Sequence, residues 1–333
     1  MGTLLRAPLR CADVIAVVVL TYDPAPGMLE ACLFALRDEA SIGDEAALTD
    51  EASFGDETAV RIVLVDNGGV VAGLAGDVLT GVEVLVQATN TGFAGGMNAG
   101  IRYSLDQGAT AVMVLNDDAV VEPGWLAPLV AELGDERVGA VQPKLLFATD
   151  PPTINSLGVA LGADGAGTDI GMRDPDDPDD RSARDLDMFT GGAVLLRADY
   201  LRATGGFDER FFLYYEDVDL ALRGHELGWR YRLAPASRVR HRGSATVAAM
   251  GSRSAFYRER NRMWVLLRHR PWPDLTRGLW LSIRRLRWAP RRVHAAALIA
   301  GVAAAPRLLL DRREARRRAR SRWQPSPPIQ DFV

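Results

Sequence analysis

Two clusters of carboxylates in this sequence could do chemistry. Asn116-Asp117-Asp118 closes the apolar run Ala111-Val-Met-Val-Leu115. Adjacent acids at the end of a buried strand are costly unless something positive binds them. A hard divalent cation that shares the oxygens of a diphosphate is the common solution. The same residue types also suit a helix-capping turn, and the local sequence does not separate the two readings. Glu216-Asp217-Val218-Asp219 puts three carboxylates in one helical turn, with Asp219 on the face of Glu216. Acids there can simply answer a helix dipole. The preceding Phe211-Phe-Leu-Tyr-Tyr215 is apolar and aromatic, however, and would set them at the wall of a pocket, where one could act as a general base. His241 follows a strand and precedes Gly243. A lone histidine is usually structural, but this one is placed to point into a site as a metal ligand.

A third candidate is Asn90-Thr-Gly-Phe-Ala-Gly-Gly-Met-Asn-Ala-Gly100, a glycine-rich loop leading into a helix. Backbone N–H groups there could cradle phosphates, or the glycines could serve close helix–sheet packing. The segment matches neither the dinucleotide-binding nor the P-loop glycine pattern, so neither reading has specific support.

The elements that must position these residues are legible as alternation. Val14–Leu20, Arg61–Val65, Val82–Val86 and Ala111–Leu115 read as strands covered on both faces, separated by turns and helices. This implies a mostly parallel α/β sheet with helices on both sides, and ligand sites beyond the carboxyl ends of its strands. The polar clusters fall at those ends. Met28–Leu36 reads as a short helix, Gly191–Arg197 and Arg230–Leu233 as further strands. Asp38–Glu45 is nearly repeated as Asp50–Glu57, and residues 38–58 read as a mobile acidic insertion. Residues 164–187, with Asp174-Pro-Asp-Asp-Pro-Asp-Asp180, read as an exposed acidic loop.

The 333 residues are 48% hydrophobic and 25% charged, an ordinary globular composition, with a net charge of −4. That sum hides an asymmetry. From Arg253 to Arg322 arginine dominates, and the only acids are Glu259, Asp274, Asp311 and Glu314. The expectation is a catalytic domain over 1–250 and an amphipathic basic helical extension over 251–333. Such an extension suits an anionic partner, a solvated helix face, or a face on which copies of the chain associate as a homo-oligomer. Cys11 and Cys32 suggest no disulfide framework, and a reducing cytoplasm fits them. Val14–Leu20 is too short for an export signal, and no stretch reaches the roughly 20 apolar residues of a membrane span.

Taken together, Thr21-Tyr22 after a strand, Val65-Asp66-Asn67, Asn90-x-Gly92-Phe93-Ala94-Gly95-Gly96-x-Asn98-x-Gly100, Leu115-Asn116-x-Asp118, Gly191-Gly192, Gly205-Gly206-Phe207-Asp208-Glu209, Phe212-x-Tyr214-x-Glu216-Asp217-x-Asp219 and His241 form an ordered set over about residues 13 to 245. The set resembles the family-two glycosyltransferases of the GT-A fold, nearest their rhamnosyltransferase and galactofuranosyltransferase branches. The resemblance implies that Thr21, Asp66 and Asn67 hold the nucleobase and its surroundings. It places Asn90, Gly92, Phe93 and Asn98 near the ribose and diphosphate. Asn116-x-Asp118 stands where the family has D-x-D, so Asp118 would bind Mg2+ or Mn2+ and Asn116 the ribose, beside Asp117. Asparagine in place of the first acid is a departure. His241 would be a further metal ligand, Asp217 the base, and Glu216 and Asp219 would orient it or the acceptor.

The function implied is inverting transfer of a sugar, rhamnose before galactofuranose, from a nucleoside diphosphate donor to a saccharide or lipid-linked acceptor in cell-surface polysaccharide synthesis. The alternative from a different class is a module of this fold that binds a glycan or lipid without turnover. An NAD-dependent enzyme lacks its glycine pattern. The expected location is cytoplasmic, on the inner face of the plasma membrane. There Trp264, Leu266, Leu267, Trp272, Leu279, Trp280 and Trp288 interleave with arginines, as in a membrane-surface helix. Nucleic-acid binding also uses arginine and aromatics, but has no need of the acidic set.

Overall fold

The valine-rich run becomes β1 (Val14–Thr21), and its alternation decides the layers. Ala16, Val18 and Leu20 enter one buried core and Ile15, Val17 and Val19 another, on opposite faces of the sheet. A strand apolar on both faces needs helices on both. In this computed structural model, which describes residues 14–46, 59–242, 251–287 and 290–312, α1 (Met28–Ala46) and α3 (Leu126–Glu132) cover one face. The other is covered by α2 (Gly92–Asp106), α4 (Ala198–Thr204) and α5 (Glu216–Glu226).

The expected parallel strands make the first half of the sheet. β3 (Val82–Val86), β2 (Ala59–Asp66), β1 and β4 (Ala111–Asn116) lie side by side and parallel. Beyond β4 the sheet is mixed. β11 (Ala193–Arg197) runs antiparallel between β4 and β6 (Val138–Phe147), and β6 is parallel to β12 (Arg230–His241). β10 (Arg184–Leu186) closes that edge, while β5 (Ala119–Val121) and β7 (Thr153–Ser156) extend β12 and β6. β8 (Val159–Leu161) and β9 (Gly167–Asp169) form a separate hairpin. Register sets Thr21 opposite Asp66, Leu20 opposite Asn116, and His241 opposite Ala119. β12 is far longer than the strand expected at Arg230–Leu233; a register shift between Ala234 and Arg238 carries it on to His241.

Three expectations are corrected. The segment 38–58 is helical over 38–46, where it continues α1, and 47–58 lie outside the described residues. The acidic segment 164–187 contains β9 and β10. Its Asp176 side chain, 3% exposed, is held against the sheet by the buried Lys144 at 3.0 Å and by Arg238 at 2.8 Å. The glycine segment is mostly helix, since α2 starts at Gly92. Gly92 has φ +73°, and a Cβ there would strike the carbonyl of Phe212; at Gly96 a Cβ would strike Leu20 of β1. The glycines therefore serve close packing.

The C-terminal region folds as α6 (Ser252–His269), α7 (Trp272–Arg285) and α8 (Arg291–Ala303), followed by a helical segment Ala305–Arg312. α6 is part of the catalytic body. Val265 enters the core beside α5, and Met263, Leu266 and Leu267 build a second small core with Leu275, Leu298 and Leu308. Leu266 and Leu267 are thus interior, and Trp264 packs edge-on against Phe211 at 5.4 Å; none of the three offers a membrane face. A division at residue 250 therefore separates α6 from residues with which it shares a core. No single helix among the described residues is long and apolar enough to cross a membrane. Arg291–Ala303 and Ala305–Arg312, bent by 48°, reach that length and composition only as a pair.

Candidate active site

The carboxyl ends of β1 and β4 and the end of β12 converge on one spot. His241 Nε2 lies 3.0 Å from Asp118 Oδ1 and 3.1 Å from Asn116 Nδ2, and its Nδ1 lies 3.1 Å from Asn155 Oδ1 on β7. With Nδ1–H donating to the Asn155 oxygen, Nε2 turns a lone pair toward the Asp118 carboxylate. Two lone pairs at that distance need a proton or a cation between them. Two ligand atoms on adjacent vertices of an octahedron, each about 2.1 Å from a metal, stand roughly 3.0 Å apart. A second-shell hydrogen bond on the far nitrogen is how metal-bound histidines are usually fixed. The pair therefore fits a divalent cation. Among the described residues no group of three or more His, Cys, Asp or Glu side chains could hold one, so the remaining positions would fall to phosphate oxygens or water, as magnesium-type sites prefer.

Asp117 sits beside this pair with its carboxyl against the Thr21 hydroxyl. Burial, aided by the charge of Asp118, pushes it up to about 6 against the pull of that hydroxyl. Cys32 closes the floor, its Sγ 3.7 Å from the Asn116 carbonyl. Burial first, then the two nearby aspartates, pushes its thiol far up, so it stays neutral.

The second centre is Asp217, in the first turn of α5. Its Oδ2 accepts from Gly191 N at 2.8 Å and its Oδ1 from Val218 N at 2.7 Å. Burial raises its pKa most, the two amides oppose that, and the charge of Asp169 adds to it. A raised aspartate is a better base. Gly191-Gly192 joins the two centres. Gly191 bonds Asp217, while a Cβ on Gly192 would lie 3.6 Å from the His241 ring and 3.8 Å from Asn116 Nδ2. The Phe93 ring packs against Gly191 and edge-on to Phe207 at 5.8 Å, flooring this side. Glu216 is buried with Oε2 unpartnered; burial, then the Asp217 charge, drives its pKa well up, so its carboxyl is neutral.

Several residues assigned to the site carry structural hydrogen bonds. Asp66 takes the amides of Gly68, Gly69, Val70 and Val71 at 2.7–3.1 Å, which outweigh burial and hold it ionised. It shapes the turn after β2. Asn67 gives both amide hydrogens to Asn90 Oδ1 and the Gly92 carbonyl, and accepts from Thr91 twice. Asn90 in turn accepts from Gly92 N at 2.8 Å. Asn98 bonds both backbone groups of Phe207 and the Glu209 carboxylate. Asn67 and Asn98 thereby commit both amide hydrogens within the protein, whereas Asn90 engages only its oxygen. Asp219 is likewise removed from the acceptor side. Wholly buried, it is held by Arg223 Nε at 2.7 Å, Arg268 at 2.9 Å and His269 Nε2 at 2.8 Å. Burial opposes its charge, but Arg223, His269 and Arg268 outweigh it and hold the carboxylate far below the usual range.

Sequence reasoning missed Asn155 and Asp169. Asp169 ends β9 beside Ser156, and its charge is felt by both His241 and Asp217. Both residues lie on three- or four-residue strands without periodicity, and Asp169 is one acid in an acid-rich stretch.

The comparisons bear on the family and the fold. The model described as "Glycosyl transferase family 2" matches residues 16–202, and "Glycosyl transferase family group 2" matches 111–306. The O-antigen biosynthesis protein RfbC of Myxococcus xanthus is 33% identical over 172 residues, which are 50% of this chain and 13% of RfbC. The N-acetylglucosaminyl-diphospho-decaprenol L-rhamnosyltransferase of Mycobacterium tuberculosis is 27% identical over 286 residues, 78% of this chain and 86% of that protein. The crystal structure of GalNAc-T7 with UDP, GalNAc and Mn2+ aligns with TM-score 0.61 at 14% identity, over 86% of this chain and 54% of that one. At that identity the likeness speaks to the fold, which is GT-A. The chain is a member of glycosyl transferase family 2.

Proposed function

We propose that the protein is a metal-dependent, inverting glycosyltransferase that moves rhamnose from a nucleoside diphosphate to a lipid-linked saccharide during cell-surface polysaccharide synthesis. The observation that carries this is the placement of a raised-pKa aspartate, Asp217, and a cation-binding pair, Asp118–His241, on either end of Gly191-Gly192. Such an arrangement suits a single displacement. The acceptor hydroxyl oxygen bonds to the anomeric carbon as the bond to the diphosphate oxygen breaks, and its proton passes to Asp217. Asp118 and His241 would hold the divalent cation, which when bound offsets the charge of the leaving diphosphate. Rhamnose and a lipid-linked acceptor are favoured by the similarity to the mycobacterial rhamnosyltransferase.

An exposed face on α7 supports a membrane-borne acceptor. On α7 the side chains of Trp272, Leu279, Trp280 and Ile283 are 37–59% exposed, at spacings that share a face. Among the described residues from 271 to 312, every exposed charged residue is arginine: 277, 284, 287, 291, 292 and 307. The two acids there, Asp274 and Asp311, pair with Arg270 and Arg210. An exposed apolar stripe rimmed by cations suits the anionic surface of the inner leaflet. A panel of nucleotide sugars tests the assignment. Binding and nucleoside diphosphate release only with Mn2+ or Mg2+, best with dTDP-rhamnose, is expected; binding of none of them would remove it, and a preference for UDP-galactofuranose would move it to that branch.

A further inference from the structure

The backbone that delivers Asp217 takes an unusual path. Phe212, Tyr214 and Tyr215 have φ of 65°, 68° and 69°, three left-handed residues in four positions, none of them glycine. Such conformations persist only when the surroundings over-determine them. Tyr215 is the residue from which α5 starts, and Glu216 and Asp217 are its first turn. The aim of the Asp217 carboxyl is therefore set by residues 212–215.

A left-handed run makes no regular hydrogen bonds, so its carbonyls must find partners elsewhere. One is met by α2: Ala94 N donates to the Phe212 carbonyl at 3.3 Å. Most of the rest fall to a single side chain on α6. Asn261, 0% exposed, donates Nδ2 to the carbonyls of Phe211, Leu213 and Tyr214 at 3.0, 2.8 and 2.7 Å. An amide has two hydrogens for these three acceptors, so at least one is shared. The Asn261 oxygen accepts from Arg260 Nε at 2.8 Å, and the Arg260 guanidinium reaches the carbonyls of Arg210 and Phe211. The apolar work of the helix is done by Met263, Val265 and Leu266 instead. What Asn261 contributes is donors, aimed at the one strained segment that leads to the base.

We propose that Asn261 is a positioning residue for catalysis: it locks the left-handed turn that holds Asp217 at the acceptor side of the site. The inference rests on the reading of Asp217 as the base. It does not touch the donor pair, since the Asp118–His241 centre hangs on the β4–β5 turn and the end of β12.

The test is a double-mutant cycle on the full chain, with turnover counted per site that binds nucleoside diphosphate in Mn2+. Asn261→Ala is expected to lower kcat by about 10²-fold, the scale of an ångström's misplacement, with donor affinity within about twofold. Asn261→Gln, which keeps the amide, should recover part of that loss. In the Asp217→Asn background Asn261→Ala should cost nothing more, because there is no base left to aim. A fold-stabilising role would instead add its own factor there, and that result overturns the proposal. Unchanged kcat per binding site in Asn261→Ala overturns it too, as does loss of donor binding in both Asn261→Ala and the milder Asn261→Ser, which would make the residue a determinant of the fold. Near-normal turnover by Asp217→Asn alone would instead remove the base assignment, a failure that the same cycle reads separately.

Discussion

Asp118 Oδ1 and His241 Nε2 face each other at 3.0 Å, brought together where β5, which follows Asp118, pairs with the end of β12. With Asn155 on the far nitrogen of the ring, this is a contact that a bound cation would satisfy.

Asp118→Asn and His241→Ala should each weaken nucleoside diphosphate binding in Mn2+ and leave the metal-free affinity unchanged. Asn155→Ala, one shell out, should lower metal affinity by about 10- to 100-fold. Calorimetric titration with and without metal measures all three; equal losses in both conditions would mean that these residues contact the nucleotide and not a cation.

Asp217→Asn should lower kcat by about 10²-fold or more, with donor affinity nearly unchanged. The pH profile carries a sign. The base must be ionised, so kcat/KM should fall as pH drops through a pKa above the ordinary aspartate value, because burial and Asp169 raise it. Asp169→Asn removes one of those two causes and should move the acid limb to lower pH. A limb that stays put or moves upward contradicts the pairing.

The Asp219 network governs stability. Asp219 has a depressed folded pKa, so its contribution is complete above the unfolded value near 3.9 and declines as pH falls below it. Asp219→Asn should therefore cost about 3–5 kcal/mol at neutral pH, the usual penalty for breaking one side of a buried ion pair. The difference from wild type should hold from neutral pH down to about pH 4 and shrink below it. Denaturant titrations at several pH values measure it. By the same contacts, a chain ending near Arg253 should lose donor binding, because Arg268 and His269 and the core residues Val265 and Leu266 go with it and the fold is undermined. Retained binding would show that α6 is dispensable.

How much of this was legible in the sequence follows from what each signal measures. β1, β2 and β4 announce themselves because a strand buried on both faces must be largely apolar, and the acids that follow them stand out against that background. Asp66, Asn67, Asn98 and Asp219 occupy the right places in order, yet they brace loops and helices. The residue types that bind ligands are also those that satisfy buried backbone and buried cations, and a sequence does not show which hydrogens are already taken. The arginines of α6 illustrate the same limit. Arg262 pairs with the buried Glu259, and Arg268 with Asp208 and Asp219, so a composition that reads as a membrane face is partly interior wiring. Of the arginines on α6 only Arg253 and Arg258 are exposed, while from α7 onward most of the described arginines face outward.

That outward face makes its own prediction. The full chain should float with anionic vesicles, less so as salt rises, since each arginine near the surface contributes about 1 kcal/mol and is screened within a Debye length. Trp272→Ala with Trp280→Ala should remove the fraction that survives high salt, because that part comes from apolar insertion. Flotation of wild type that ignores lipid charge, or of the double variant that matches wild type at high salt, would count against the surface.

The central claim is that Asp217 drives a single inverting displacement beside a cation-held diphosphate. It is tested most directly by incubating wild type and Asp217→Asn with a nucleoside diphosphate rhamnose, Mn2+ and a lipid-linked saccharide, and reading the anomeric configuration of the product by NMR. The account predicts inverted configuration, product formation that stops when the metal is chelated, and at least about 10²-fold slower formation by the variant. Retained configuration, or equal rates from the two proteins, would contradict it.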